Sequence, residues 1–181
     1  MTLLIATWLV IAGFFGQSAE SMQRDLAGHA EQVRALASDK ILIDAIKSQN
    51  AKKTPLAEIQ RLDKLWIDDK DEQLVHTVTT GRCAEHLRQI ATASGFGEMM
   101  VMDDQGALVC SNARTSDYWQ GDEEKWTRAF NNGKGATFID RPRLDESSKT
   151  NLAQISVPVT DGGRAIGVIT AGIPLHQLEH K

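Results

Sequence analysis

The apolar positions change period near the middle of the chain. From residue 22, Met22, Leu26, His29, Val33 and Leu36 recur at alternating steps of four and three. That spacing lines one stripe of a helix. The stripe suits either the seam of a parallel helix pair or a face laid on a sheet. Ser38-Asp39 interrupts it and suits a cap, after which Ile41, Leu42, Ala45 and Ile46 carry it on, so the pattern predicts one long, kinked helix over 19–48. Residues 49–53 are a polar link. Thr54-Pro55 opens a second helix, with Leu56, Ile59, Leu62, Leu65 and Trp66 as its buried stripe. Residues 68–72 (DDKDE) read as a solvated turn. A third helix runs from 80 or 82 to 94, with Cys83, Leu87, Ile90 and Ala91 on one face, and Gly95 ends it.

Beyond residue 97 the runs shorten. EMMVM and ALVC flank Asp103-Asp104-Gln105-Gly106, an acidic turn closed by glycine and a hairpin signal. A polar stretch over 115–130 follows, with a short helix expected over 122–130. Residues 136–141 start a third strand, and a polar excursion covers 143–148. Residues 152–159 form a fourth strand, Asp161-Gly162-Gly163-Arg164 a second hairpin turn, and 165–173 a fifth strand. Helices first and an antiparallel sheet second define an α+β fold: a long N-terminal helix and further helices packed on a five-stranded, mainly antiparallel sheet.

Residues 1–16 (MTLLIATWLVIAGFFG) carry no charged side chain. The run is shorter than the roughly 20 residues of a full membrane span. It fits a signal-peptide core or a short N-terminal anchor, and predicts residues 1–18 as leader and the remainder as periplasmic or otherwise extracytoplasmic. In such a compartment Cys83 and Cys110 are expected to pair, with two buried thiols as the alternative. The net charge of −4, with basic residues scattered, excludes a nucleic-acid surface.

Tyr118, Trp119 and Trp126 lie within ten residues that also hold Asp117, Asp122, Glu123 and Glu124. Aromatics crowded with acids in a loop suit a small pocket with apolar walls and polar anchors; the alternative is a plug at one end of the fold. No nucleophile elbow, zinc-protease motif or phosphate loop is present. The five histidines (29, 76, 86, 176, 180) are scattered, and Asp103-Asp104 suit their turn. No enzyme activity, metal site or cofactor is expected.

The chain resembles the extracytoplasmic Cache sensor domains, also called PDC or PAS-like, of bacterial histidine kinases, chemoreceptors and cyclic-dinucleotide enzymes. The residues that carry the resemblance are the N-terminal apolar segment running into a long helix and Glu98-Met99-Met100-Val101-Met102-Asp103-Asp104-Gln105-Gly106. They continue with Thr115-Ser116-Asp117-Tyr118-Trp119-Gln120-Gly121-Asp122-Glu123 and the closing pair Ser156-Val157-Pro158-Val159 and Gly167-Val168-Ile169-Thr170-Ala171-Gly172. The resemblance implies one sensor domain over 19–181, helical over 19–95, with its sheet over 96–181 and a ligand loop over 115–130. Tyr118, Trp119 and Trp126 would roof the ligand; Met100, Phe138, Asp140, Gln154 and Ser156 would floor it. One version of the family holds an amino-acid carboxylate with an Arg before an aromatic pair, and here Lys125-Trp126-Thr127 stands there.

Aromatic faces attract quaternary ammonium groups, so a methylated amine or amino compound is the first ligand expected, with Asp117, Asp122 or Asp140 as counter-charge. A small carboxylate held by Lys125, Arg128 or Arg141 is the second. The function implied is small-molecule sensing in signal transduction, with output to a membrane receptor or kinase, or through a homodimer of the N-terminal helix. The alternatives are a stand-alone binding or accessory protein and a protein-interaction module.

Overall fold

The structure, a computed structural model, describes residues 6–144, 151–175 and 178, with side chains from residue 21 except at 143 and 144. The first five residues of the apolar leader, most of the excursion after 143, and His176 and His180 lie outside the described residues. The order is α1 (Ala6–Leu36), α2 (Lys40–Asn50), α3 (Leu56–Ile67), α4 (Glu72–Thr80), α5 (Arg82–Ser94), β1 (Met99–Met102), β2 (Leu108–Ser111), α6 (Glu124–Phe130), β3 (Phe138–Ile139), β4 (Arg143–Leu144), β5 (Asn151–Asp161) and β6 (Arg164–Pro174). The sheet is antiparallel, ordered β2-β1-β6-β5-β3, with β4 pairing β5 beyond β3. Five positions across the sheet and helices on both faces give an α+β, PAS-like architecture.

The long helix expected over 19–48 is two helices. Asp39 stops the first by capping the second: its carboxylate accepts from Ile41 N at 2.8 Å and Leu42 N at 3.3 Å, and an aspartate that bonds the backbone ahead of it favours a cap over a helix interior. His86 of α5 holds the other carboxylate oxygen at 2.7 Å, fixing where the chain turns. Residues 73–79, given no element from the sequence, belong with Glu72 and Thr80 to α4. Asp71 caps it through Leu74 N at 2.9 Å, and only Val78 is fully buried, so β-branched residues and a narrow stripe hide the helical period. The third strand is two residues long, with Asp140 N still donating to Gln154 O at 2.8 Å.

The sheet divides two apolar clusters. On one face Val101, Ile155, Val157, Ile169 and Ala171 meet Leu26, Ala30 and Val33 of α1, Leu42 and Ile46 of α2, and Leu87 of α5. The stripe of α1 is therefore laid on its own sheet: Met22, Leu26, Val33 and Leu36 pack there, and His29 meets the edge of Phe96 at 5.9 Å. On the other face Met100, Met102, Leu108, Phe138 and Val168 meet Ile59 and Trp66 of α3, Val78 of α4 and Ala129 of α6. Cys83 of α5 and Cys110 of β2 are joined as a disulfide, Cα atoms 5.9 Å apart, which fastens the helical layer to the sheet edge. Gly162 and Gly163, φ +56° and +81°, make the tight β5–β6 turn in the sterically permissive way. No described helix is long and apolar enough to cross a membrane.

Candidate functional site

One cross-strand row runs through the second face: Phe138, Ser156, Thr170, Met100 and Ser111 are successive partners. Directly opposed residues share a face, so this row puts three hydroxyls on an otherwise apolar surface. Ser156 Oγ and Thr170 Oγ1 bond each other at 2.8 Å, fully buried. Gln154 lies two residues along β5 on the same face, 6% exposed, and its Oε1 is buried without a hydrogen-bond partner. A buried amide oxygen left unpaired costs about 1–3 kcal/mol, so its retention marks a place where a donor is wanted.

Above this floor the loop between β2 and α6 is pinned from below and from the side. Asp63 of α3 accepts from both Tyr118 N and Trp119 N at 2.9 Å. Trp66 Nε1 donates to Thr115 O at 2.9 Å. Trp119 Nε1 donates to Gln105 O at 2.8 Å and Trp126 Nε1 to Asp103 O at 3.0 Å. Both indoles therefore reach the β1–β2 turn. Gly106 and Gly121 let loop and turn close: a Cβ on Gly106, φ +85°, would stand 2.3 Å from Gly121 Cα. Tyr118 is buried beside Trp66, ring centroids 6.0 Å apart, and Trp126 stacks on Phe130 at 4.8 Å. Among the described ring contacts none joins Trp119 to Trp126 or either to Tyr118.

The interior of this roof is polar. α6 turns Lys125 and Ala129 inward; Lys125 is 6% exposed and pairs with Glu123 at 3.2 Å. Gln120, fully buried, donates through Nε2 to Asp117 O at 3.0 Å and to the Asp117 carboxylate, while its Oε1 has no partner. Burial, then the Glu123 charge, holds the Asp117 carboxyl above its usual range, and the Lys125 ammonium opposes them. These four side chains form one electrostatic unit beneath the loop.

The structure thus gathers Met100, Phe138, Gln154 and Ser156 on one floor, and puts Asp117 and Lys125 in the roof. Asp140 follows β3 beside Gln154, half-buried, and Asp122 is exposed at the loop's end. Arg128 is exposed with its guanidinium carbon 4.4 Å from the Phe138 ring centroid, and Arg141 is exposed, so Lys125 is the inward cation of the three considered for a carboxylate. Gln120 and Thr170 were not singled out by sequence. Thr170 had a signal, a hydroxyl at an inward position of an apolar strand; Gln120 had none. Among the described residues no group of His, Cys, Asp and Glu is arranged to hold a metal.

A single antiparallel sheet, with α1, α2 and α5 on one face and α3, α4, α6 and the pinned loop on the other, is a PAS-like architecture. No family model and no curated protein sequence matches the chain. Solved structures do. One is the sensor domain of the Vibrio cholerae histidine kinase DctB, 13% identical over 94% of this chain and 58% of that one, TM-score 0.52. Another is the ligand-binding domain of the Pseudomonas aeruginosa PAO1 amino-acid chemoreceptor PctC in complex with GABA, 18% identical over 90% of this chain and 61% of that one, TM-score 0.52. The chain has the fold of the Cache-type sensor domains that its sequence resembles, and it spans about three fifths of the length of these structures.

Proposed function

We propose that the chain is an extracytoplasmic sensing domain of bacterial signal transduction, exported or anchored through its N-terminal segment, that binds a small polar molecule between the sheet floor and the roof formed by the loop and α6. The observation that carries this reading is the combination of an inward, buried Lys125 with two buried amide oxygens, of Gln120 and Gln154, that lack donors. A ligand with a carboxylate for the ammonium and N–H groups for the amide oxygens answers both, which favours a small amino-carboxylate. A quaternary ammonium has no N–H to give, and the indoles of Trp119 and Trp126 are engaged at the turn, so the methylated amine is the second choice. Binding favours the state in which the roof is closed on the sheet, whose opposite face carries α1 and α2.

Thermal unfolding of the full chain against amino acids, amino-carboxylates, dicarboxylates and betaines tests the reading. A ligand at about a hundred times its Kd adds roughly 2.7 kcal/mol, raising Tm by roughly 5–10 °C in a domain of this size. Lys125→Met is expected to remove that shift and to lower the unliganded Tm as well, because taking out one partner leaves Glu123 and the buried Asp117 without their cation. A betaine hit that survives Lys125→Met would install the methylated amine instead. A panel without any shift would sink the small-ligand reading and turn attention to a protein partner.

A further inference from the structure

The β1–β2 turn is the point on which the roof and the helical layer meet. Its carbonyls receive Trp126 Nε1 at Asp103, Trp119 Nε1 at Gln105 and Gln120 N at Gly106. From the other side Asn50, at the end of α2, accepts from Asp104 N at 3.2 Å and donates to Ile166 O at 2.8 Å. Gln105 Nε2 reaches Thr54 O, ahead of α3, at 2.8 Å. Gln49 of α2 donates to the Tyr118 hydroxyl at 3.3 Å and is also a side-chain partner of Asp103. At the centre lies the Asp103 side chain, 3% exposed. Its Oδ1 accepts from both Gln105 N and Ala107 N at 2.9 Å, so a proton would go to Oδ2.

We propose that this turn is an acid-responsive latch, in which proton uptake by Asp103 fastens the loop and α6 to α2 and proton loss loosens them. The titratable groups that face Asp103 are Asp104 on the turn and Tyr118 on the loop; α2 offers the uncharged Gln49 and Asn50, and α6 the Trp126 indole. No cation among the described residues pairs with it, so its charge is uncompensated inside the fold. Burial pushes the carboxyl up to about 6 against the two backbone N–H groups, and the Asp104 charge adds to the rise. Burial and then the Asp103 charge likewise push Tyr118 up to about 12. The carboxylate accepts from the Gln49 amide; the neutral acid gains an O–H that can donate to the Tyr118 oxygen. Loss of the proton leaves a buried charge beside Asp104 that has N–H donors in Gln105, Ala107 and Gln49 but no cation.

The direction follows from linkage. A carboxyl raised in the folded state binds more protons there than in the unfolded chain, so stability falls as pH rises from about 4 to about 6 and is level above. Over that window the folding constant changes about a hundredfold, or roughly 5–10 °C in Tm. The experiment compares Tm and indole N–H exchange of Trp119 and Trp126 in the full chain from pH 4 to 8, for the parent and Asp103→Asn. Asn keeps the Oδ1 acceptor and fixes the uncharged state. The variant's gain over the parent should be absent near pH 4 and complete above about 6, with indole exchange slowed in the same window. Asp39→Asn, at the other carboxylate held between helices, should leave this transition in place. A transition that persists in Asp103→Asn would overturn the latch. If that variant does not fold, a carboxyl ¹³C titration of Asp103 in the parent decides, and a midpoint near 3.9 overturns it equally. The latch does not rest on the ligand: a silent ligand panel with an intact titration would remove the proposed function and leave the latch standing.

Discussion

Trp66→Ala is expected to lower stability by about 3–5 kcal/mol, the range for truncating a fully buried aromatic, and to release the aromatic loop from α3. Trp66 is fully buried and does three things at once, the first two through its side chain. Its ring packs against Tyr118, 6.0 Å away, and lies 5.7 Å from the Arg114 guanidinium carbon. Its Nε1 holds Thr115 O, a carbonyl that would lose its donor. Its own carbonyl accepts from Arg114 at 2.6 Å. At roughly 2–4 °C per kcal/mol for a chain of this size, Tm should fall by about 6–20 °C. Limited proteolysis should then cut first within 112–123. Trp66→Phe, which keeps most of the ring and loses only the hydrogen bond, should cost about 1–2 kcal/mol. A Trp66→Ala protein as stable and as protease-resistant as the parent would mean that the loop does not hang on α3.

Opening the disulfide is the second large effect. Cys83 and Cys110 are 27 residues apart, and the chain-entropy model gives about 3.5 kcal/mol for a loop of that length. The bond also restrains a short edge strand: β2 has four residues and only β1 as a strand partner. Cys110 is buried, so the double substitution to Ala avoids adding a buried hydroxyl. Chemical denaturation should move to lower denaturant on reduction of the parent, and the double Ala variant should unfold where the reduced parent does, insensitive to reductant. Equal midpoints for oxidised and reduced parent would show that the α5–β2 contact holds without the bond.

What the sequence disclosed and what it hid divide along physical lines. Periodic burial was readable: the stripes of α1 and α5 and the long β5–β6 hairpin follow from spacing and from Gly162-Gly163, whereas the α3 stripe holds at Ile59 and Trp66 but not at its first turn, where Leu56 is 44% exposed. Local competition was half readable. Asp39 was recognised as a cap, yet the apolar stripe continued through it, and its bond to His86, 47 residues away, leaves no trace in the local pattern. α4 was missed because Thr and Val dominate it and it buries so little. In the site, the crowding of Tyr118, Trp119 and Trp126 was evident, but where each indole donates was not. Gln105 O and Asp103 O lie 14 and 23 residues from their donors, and carbonyl partners leave no trace in side-chain pattern. Lys125 was named as a possible carboxylate anchor; that it points inward while Arg128 and Arg141 do not depends on the pitch of a seven-residue helix.

The sheet is one layer thick, and its two longest strands sit at its centre. Along β5, Gln154 and Ser156 look toward the roof while Ile155 and Val157 look toward α1, and along β6 Thr170 is flanked by Ile169 and Ala171 in the same way. The stretches 152–157 and 167–173 of this hairpin are buried throughout, so a change on one surface disturbs the packing on the other. The roof carries no such double duty. Its loop and short helix cover one surface of the sheet and reach α2 through the β1–β2 turn and the Gln49–Tyr118 bond. Substitutions within 112–130 are therefore expected to disturb the sheet less than substitutions within 152–157 or 167–173.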